Sequence, residues 1–121
     1  MNTQHKERYK FDENKYYKLV SIVDHNGVDK SNTNNLYAER MNCIATHLVL
    51  DYYDRVMMVF VEDSEGKRIR KALHTSIVER IDEIPNGLRI YTLNSIYTFE
   101  DVTINISEPQ DISEYTRFIK F

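Results

Sequence analysis

The chain is poor in the residues that staple or punctuate a fold: one cysteine, two prolines, three glycines and no tryptophan among 121 residues. The lone Cys43 excludes an internal disulfide and a four-cysteine metal site, and its simplest setting is a reducing, cytoplasmic one. No apolar run is long enough for a membrane-spanning helix, which needs roughly 20 such residues. The opening MNTQHKERYKFDENKYYK has no apolar h-region and does not read as a signal peptide. Net positive charge is missing too. The formal charge of −3 argues against general nucleic-acid binding, since neutralising backbone phosphates takes a basic surface. The four histidines, His5, His25, His47 and His74, contain no pair at metal-ligand spacing and read as surface or loop residues. No nucleophile–base or cofactor motif is found, so neither an enzyme nor a cofactor is expected.

What is there points to strands. A single domain of this length buries roughly two-thirds of its unfolded surface, enough for a core without staples. With 41% hydrophobic and 29% charged residues the chain falls among folded globular proteins, and nine tyrosines with five phenylalanines favour β-structure. The clearest design lies in residues 67–100. Pro85-Asn86-Gly87 separates two β-rich runs there, and Asn-Gly between alternating apolar segments is the strongest short-range hairpin signal. After the turn, Leu88 and Ile90 fall on one side of a period-two strand. Before it, residues 75–81 are less regular, because Ile77 and Val78 are adjacent.

In chain order, residues 1–15 form a polar arm, expected to be flexible, with Tyr9 and Phe11 as its large apolar side chains. Residues 16–121 form a single β-rich domain. Residues 16–23 (YYKLVSIV) carry apolar groups on both faces, as in a strand covered twice, a small barrel or an interface. Residues 24–35 (DHNGVDKSNTNN) read as a loop of a length that is often functional. Residues 36–50 read both ways. Leu36, Met41, Ile44 and Leu48 keep a helical spacing, whereas Cys43-Ile44-Ala45-Thr46 and Leu48-Val49-Leu50 suit a strand. The reading adopted is a short turn or irregular piece at 36–42 and a strand at 43–50. Residues 56–62 suit a central strand, Asp63-Ser64-Glu65-Gly66 a turn, and 67–73 a returning strand. Val102, Ile104 and Ile106 suggest a last strand before Pro109, and 112–121 reads as a short helix or an edge strand. Short strands with hairpin turns predict an all-β, mainly antiparallel small barrel or sandwich with short helical pieces.

Candidate chemistry is sparse. Cys43, in an apolar context, reads as a core residue rather than a nucleophile. Asp51/Asp54 and Glu62/Asp63 are carboxylate pairs, but the second is better explained as a solvated hairpin tip. Lys67, Arg68, Arg70 and Lys71 form a dense cationic cluster in an acidic chain. On a strand Arg68 and Arg70 share one face, and Lys67, Ile69 and Lys71 the other. Paired arginines can hold phosphates; the plainer reading is an edge strand kept from aggregating by charge. Thr75-Ser76 and Asn94-Ser95 interrupt β-forming runs. They either line a ligand pocket, with Tyr97 or Tyr91 as a stacking platform, or satisfy the backbone at a bulge or bend; the second reading is favoured. For a bound ligand the expected set is Arg68, Arg70, Lys71, Thr75, Ser76, Asn94 and Tyr97, with no catalytic residue and no metal ligand.

The pattern ALHTSIVERI…NGLRIYTLNSIYTFE, preceded by LYAERMNCI, resembles a family of small proteins of clostridial bacteria and their phages across residues 16–100. In that family a Leu-x-Thr-Ser-x-Val strand precedes a Thr-x-Asn-Ser-x-Tyr strand. The matching positions here are Leu73, Thr75, Ser76, Val78, Thr92, Asn94, Ser95 and Tyr97. The resemblance implies an accessory protein of viral or prophage origin that acts in anti-defence, binding a nucleotide signal or blocking a host protein. The expected function is therefore non-enzymatic capture of a nucleotide-type anionic ligand, or blockade of a host protein. The alternative is a structural or assembly protein that works as a homo-oligomer. Self-association is expected from the two-faced strand at 16–23 and from the apolar Phe118-Ile119-Lys120-Phe121.

Overall fold

In the computed structural model, which describes residues 11, 15–51 and 53–102 (residue 47 in its backbone alone), six strands follow the alternation of the chain. They are β1 Tyr16–Val23, β2 Ile44–Leu50, β3 Arg55–Glu62, β4 Arg68–Ile84, β5 Gly87–Thr92 and β6 Ile96–Val102, with the helix α1 Asn35–Arg40 between β1 and β2. His5, Ile104, Ile106 and residues 112–121 lie outside the described residues, as does the expected arm apart from Phe11 and Lys15. Each strand pairs antiparallel with the next, and β6 returns to β1. The fold is thus a closed barrel, not a sandwich, in which β5 and β6 are paired on both sides. Among the described residues no helix is long and apolar enough to cross a membrane.

The expected turns form, each for a local reason. Between β3 and β4 the Asp63 carboxylate accepts from the Glu65 and Lys67 N–H groups at 2.9 and 2.8 Å, and Gly66 takes φ +82°. Between β4 and β5 Asn86 sits at φ +62° and Ile84 pairs with Gly87. Residues 36–42, read as a short turn or irregular piece, instead hold most of α1, which begins at Asn35. Its start is set by Asn34, whose side chain accepts from the Tyr37 N–H at 2.8 Å. The good helix formers Ala38, Glu39 and Arg40 then complete a short helix.

Two phase slips explain patterns that looked irregular. In β1 a bulge between Leu19 and Ser21 changes the side on which the chain faces inward. Tyr17, Leu19 and Ile22 are therefore all buried, and the two-faced look of this strand reflects the slip. The runs expected at 67–73 and 75–81 are one 17-residue strand, β4. Its first part pairs with β3 and its second with β5, with a bulge between Val78 and Arg80. At the handover Val78 is fully buried, while its neighbour Ile77 is 44% exposed.

The barrel interior is filled. Tyr97, Phe60, Phe99, Leu19, Ile22 and Met58 are its largest fully buried side chains, and Tyr17 meets Phe99 edge to face at 6.3 Å. Small barrels hold side chains rather than ligands for this reason. Cys43 lies in this core, with its thiol donating to the Glu39 carbonyl at 3.2 Å; burial pushes the thiol up from its ordinary value. On β3, Val56, Met58 and Phe60 face inward, whereas Met57, Val59 and Val61 form a second cluster with Val49.

The β1–β2 connection is pinned to the β5–β6 turn. His25 Nε2 lies 2.7 Å from the Thr92 carbonyl and 3.1 Å from the Leu93 carbonyl. Both partners are acceptors, so Nε2 carries the proton. Lys30 donates to the Asn94 carbonyl at 3.0 Å and to Ser95 Oγ at 2.6 Å, and its ammonium lies 5.8 Å from the Tyr37 ring centre. Beneath them the Tyr97 hydroxyl meets the side chains of Tyr37 and Ser95. Burial first, and then Tyr37, holds this phenol well above the ordinary tyrosine value of 10.0.

A phenol whose pKa is raised in the folded state retains its proton there while the unfolded chain releases it. Stability is then full below the unfolded value and falls as pH climbs past it. Urea unfolding is expected to show a loss of stability beginning near pH 10 that Tyr97→Phe reduces. A wild-type curve that stays flat to pH 11 would contradict the buried neutral phenol.

Candidate functional site

The seven residues proposed from the sequence do not converge. Arg68, Arg70 and Lys71 are exposed on the first part of β4. Lys71, however, shares its side of the strand with Ile69 and Leu73, which pack against the core, while Arg68 and Arg70 take the other side. The depression lined by Val59, Arg70, Lys71 and Ala72 encloses about 50 Å³, against roughly 300–1,000 Å³ for a small-molecule pocket. Thr75 lies about 13 Å further along the strand from Lys71. It is 5% exposed, and its hydroxyl is committed to the backbone: it accepts from Val56 N–H at 2.9 Å and donates to the Ser76 carbonyl at 2.7 Å.

Ser76 and Asn94 do meet, the Asn94 N–H donating to Ser76 Oγ at 3.3 Å. At the same turn Thr92 Oγ accepts from the Ser95 N–H at 3.0 Å and donates to the Ser95 carbonyl at 2.9 Å. These polar pairs satisfy the backbone where β4 bends and where β5 turns into β6, as the favoured reading has it. Thr92 to Tyr97 is accordingly a strand end, a turn and a strand start rather than the single strand expected of this stretch. Tyr97 is 2% exposed inside the barrel and presents no face to a ligand, which removes it from any binding set.

A different group is brought together on the outer wall of β4–β6. Counting back from Ile84 opposite Gly87, the hairpin register sets Asp82 against Arg89 and Arg80 against Tyr91. Alternation then turns Arg80, Asp82, Arg89 and Tyr91 outward, because Leu88 and Ile90 are buried. The Arg80 guanidinium lies 4.0 Å from the Tyr91 ring centre and also pairs with Asp82 at 3.1 Å. Arg89 donates to Thr98 Oγ at 3.3 Å across to β6. Both guanidiniums reach the Tyr91 phenol oxygen: Arg89 first, then Arg80, lower its pKa from the usual value. In return the contact with Tyr91 pushes Arg80 further up.

Arg80 and Arg89 both neighbour Tyr91 on the outward face, and their N–H groups suit a phosphate or carboxylate oxygen lying beside the phenol. Chemically the cluster can hold a phosphate or carboxylate oxygen. Among the described residues Arg89 has no carboxylate in salt-bridge contact, so the group keeps a net positive charge despite Asp82. Arg80 and Arg89 were missed because they stand nine positions apart in sequence, whereas 68–71 is a visible run. The signal that finds them is the hairpin turn, whose register places Arg80 against Tyr91 by counting outward. Among the described residues no three His, Cys, Asp or Glu side chains are grouped to hold a metal ion.

Comparison with known proteins adds nothing to this geometry: no family model, no curated protein and no solved structure matches the chain.

Proposed function

We propose that the protein is a non-enzymatic binding protein that captures a phosphate-bearing, nucleotide-type ligand on the outer wall of β4–β6. The observation that carries this reading is the placement of Arg80 and Arg89 around Tyr91 on the outward face by the β4–β5 register, with the Arg80 guanidinium 4.0 Å from the Tyr91 ring centre. The filled interior directs binding to the outside. The accessory, phage-related role implied by the family resemblance belongs to the same proposal, and ligand capture is its means. A second reading, blockade of a protein partner, is favoured by an exposed patch where β4 passes from β3 to β5. There Ile77 stands opposite Arg55, whose guanidinium lies 5.3 Å from the Tyr53 ring centre, and the Leu93 N–H donates to the Ile77 carbonyl. Tyr53, Ile77 and Leu93 are 69%, 44% and 52% exposed, and aromatic residues with arginine are typical anchors of protein interfaces.

Calorimetric titration with linear and cyclic nucleotides separates the two. A charge-assisted contact is worth roughly 1.5–3 kcal/mol, so Arg89→Ala is expected to weaken binding about ten- to a hundredfold. Arg70→Ala is expected to leave it within about twofold, and rising salt to weaken the wild type. Loss of binding in Arg70→Ala but not in Arg89→Ala would move the site to the cationic run on β4. No heat from any nucleotide would leave the protein-partner reading.

A further inference from the structure

The face around the arginine pair is wider than the pair itself. Tyr91 stands beside Ile96 on β6, and Ile96 beside Val23 on β1. One step along the strands, Arg89 stands beside Thr98, and Thr98 beside Ser21. Two parallel rows of opposite character result: Tyr91, Ile96 and Val23 are aromatic and aliphatic, while Arg89, Thr98 and Ser21 are polar. All six side chains are partly exposed. Strands lie about 4.8 Å apart and same-face residues about 6.6 Å apart along them, so the rows span about 10 by 7 Å.

We propose that this face binds one ribonucleotide: its phosphate on Arg80 and Arg89, its base across Ile96 and Val23, and its ribose hydroxyls against Thr98 and Ser21. The inference rests on the ligand-capture reading and adds which ligand the face takes and how it lies. The base needs an apolar surface beside a charged one, and the sugar needs short hydroxyl partners along one edge. The two rows supply these side by side, starting from the same cations. An extended peptide is disfavoured, because β5 and β6 are paired on both sides and offer no strand edge at this face for it to join. An oligonucleotide is disfavoured by the footprint, which matches a single nucleotide, and by the overall charge of −3.

The test is a titration series on the wild-type protein: inorganic phosphate, ribose 5-phosphate, a ribonucleoside 5′-monophosphate and a short oligoribonucleotide. Affinity is expected to rise about tenfold at each of the first two steps. Ile96→Gln is expected to remove the gain from the base while leaving phosphate binding unchanged, and Ser21→Ala to reduce the gain from ribose. If phosphate binds and the nucleotide binds no tighter, the inference is overturned and the arginine pair stands as a plain oxyanion site. If the oligoribonucleotide binds more tightly than the mononucleotide, the single-nucleotide footprint is overturned. If no member of the series binds, the ligand-capture reading falls with it.

Discussion

Replacing Gly87 by alanine is expected to destabilise the fold by about 3 kcal/mol or more and to lower its melting temperature by about 10 °C or more. The reason is space rather than conformational freedom. A Cβ at this position would overlap the carbonyl oxygen of Phe99, 3.0 Å from its carbonyl carbon and 3.3 Å from Glu100 Cα. All three are backbone atoms of β6, so no side chain can swing aside, and relief requires β5 and β6 to part where Gly87 pairs with Glu100. The hairpin that sets the Arg80–Tyr91 register begins at this residue, so loss of anion binding is expected to accompany loss of stability. Gly27 provides the contrast: a Cβ there meets nothing within 4 Å, but φ is +84°. Gly27→Ala is expected to cost about 1 kcal/mol from left-handed strain alone. Thermal unfolding of the two variants checks both values, and an unchanged melting temperature for Gly87→Ala would contradict the close approach of β5 to β6.

Asp51→Ala is expected to cost about 3 kcal/mol, and Asp51→Asn less than half as much. The Asp51 side chain is 1% exposed and shapes the β2–β3 turn. Its Oδ1 accepts from the N–H groups of Tyr53 and Arg55 at 2.8 and 2.9 Å. That turn places the Asp54 carbonyl 2.6 Å from the Val78 N–H, at the handover of β4 from β3 to β5. Alanine orphans two donors, whereas asparagine keeps an acceptor in the same place. Arg55 Nε stands 3.7 Å from the other carboxylate oxygen, beyond hydrogen-bond reach; both atoms are buried without a hydrogen-bond partner while the rest of the arginine side chain is partly exposed, so this pair contributes less than the two N–H donors. Urea unfolding at neutral pH measures the difference. Equal losses in the two variants would shift the weight from the hydrogen bonds to that ion pair. The acid pair Asp51/Asp54 is thus a turn-former on the Asp51 side, which the spacing of two aspartates by itself does not distinguish from acid–base chemistry.

Much of the architecture was legible because it depends on near neighbours. Pro85-Asn86-Gly87 specified a hairpin, Asp63 to Gly66 a second turn, and Leu88 with Ile90 the inward face of β5, 4% and 0% exposed. Cys43 was legible as core from its apolar surroundings. The candidate site was less so. A run such as 68–71 announces itself in one dimension, yet its members divide between two faces of β4. Arg80 and Arg89 became neighbours through a register that has to be counted across a turn.

The sequence by itself determined an antiparallel, hairpin-built β domain, since alternation and turn chemistry act over a few residues of chain. Only the tertiary structure decided that the sheet closes and that Tyr97 fills the interior instead of facing a ligand. It also decided that β1 and β4 slip phase at bulges, and that the β1–β2 connection is pinned to the β5–β6 turn by His25 and Lys30. The physical reason is that curvature and closure depend on all six strands together. A bulge, a filled lumen or a pair of converging guanidiniums is fixed by the partner strand, which no stretch of chain read alone contains.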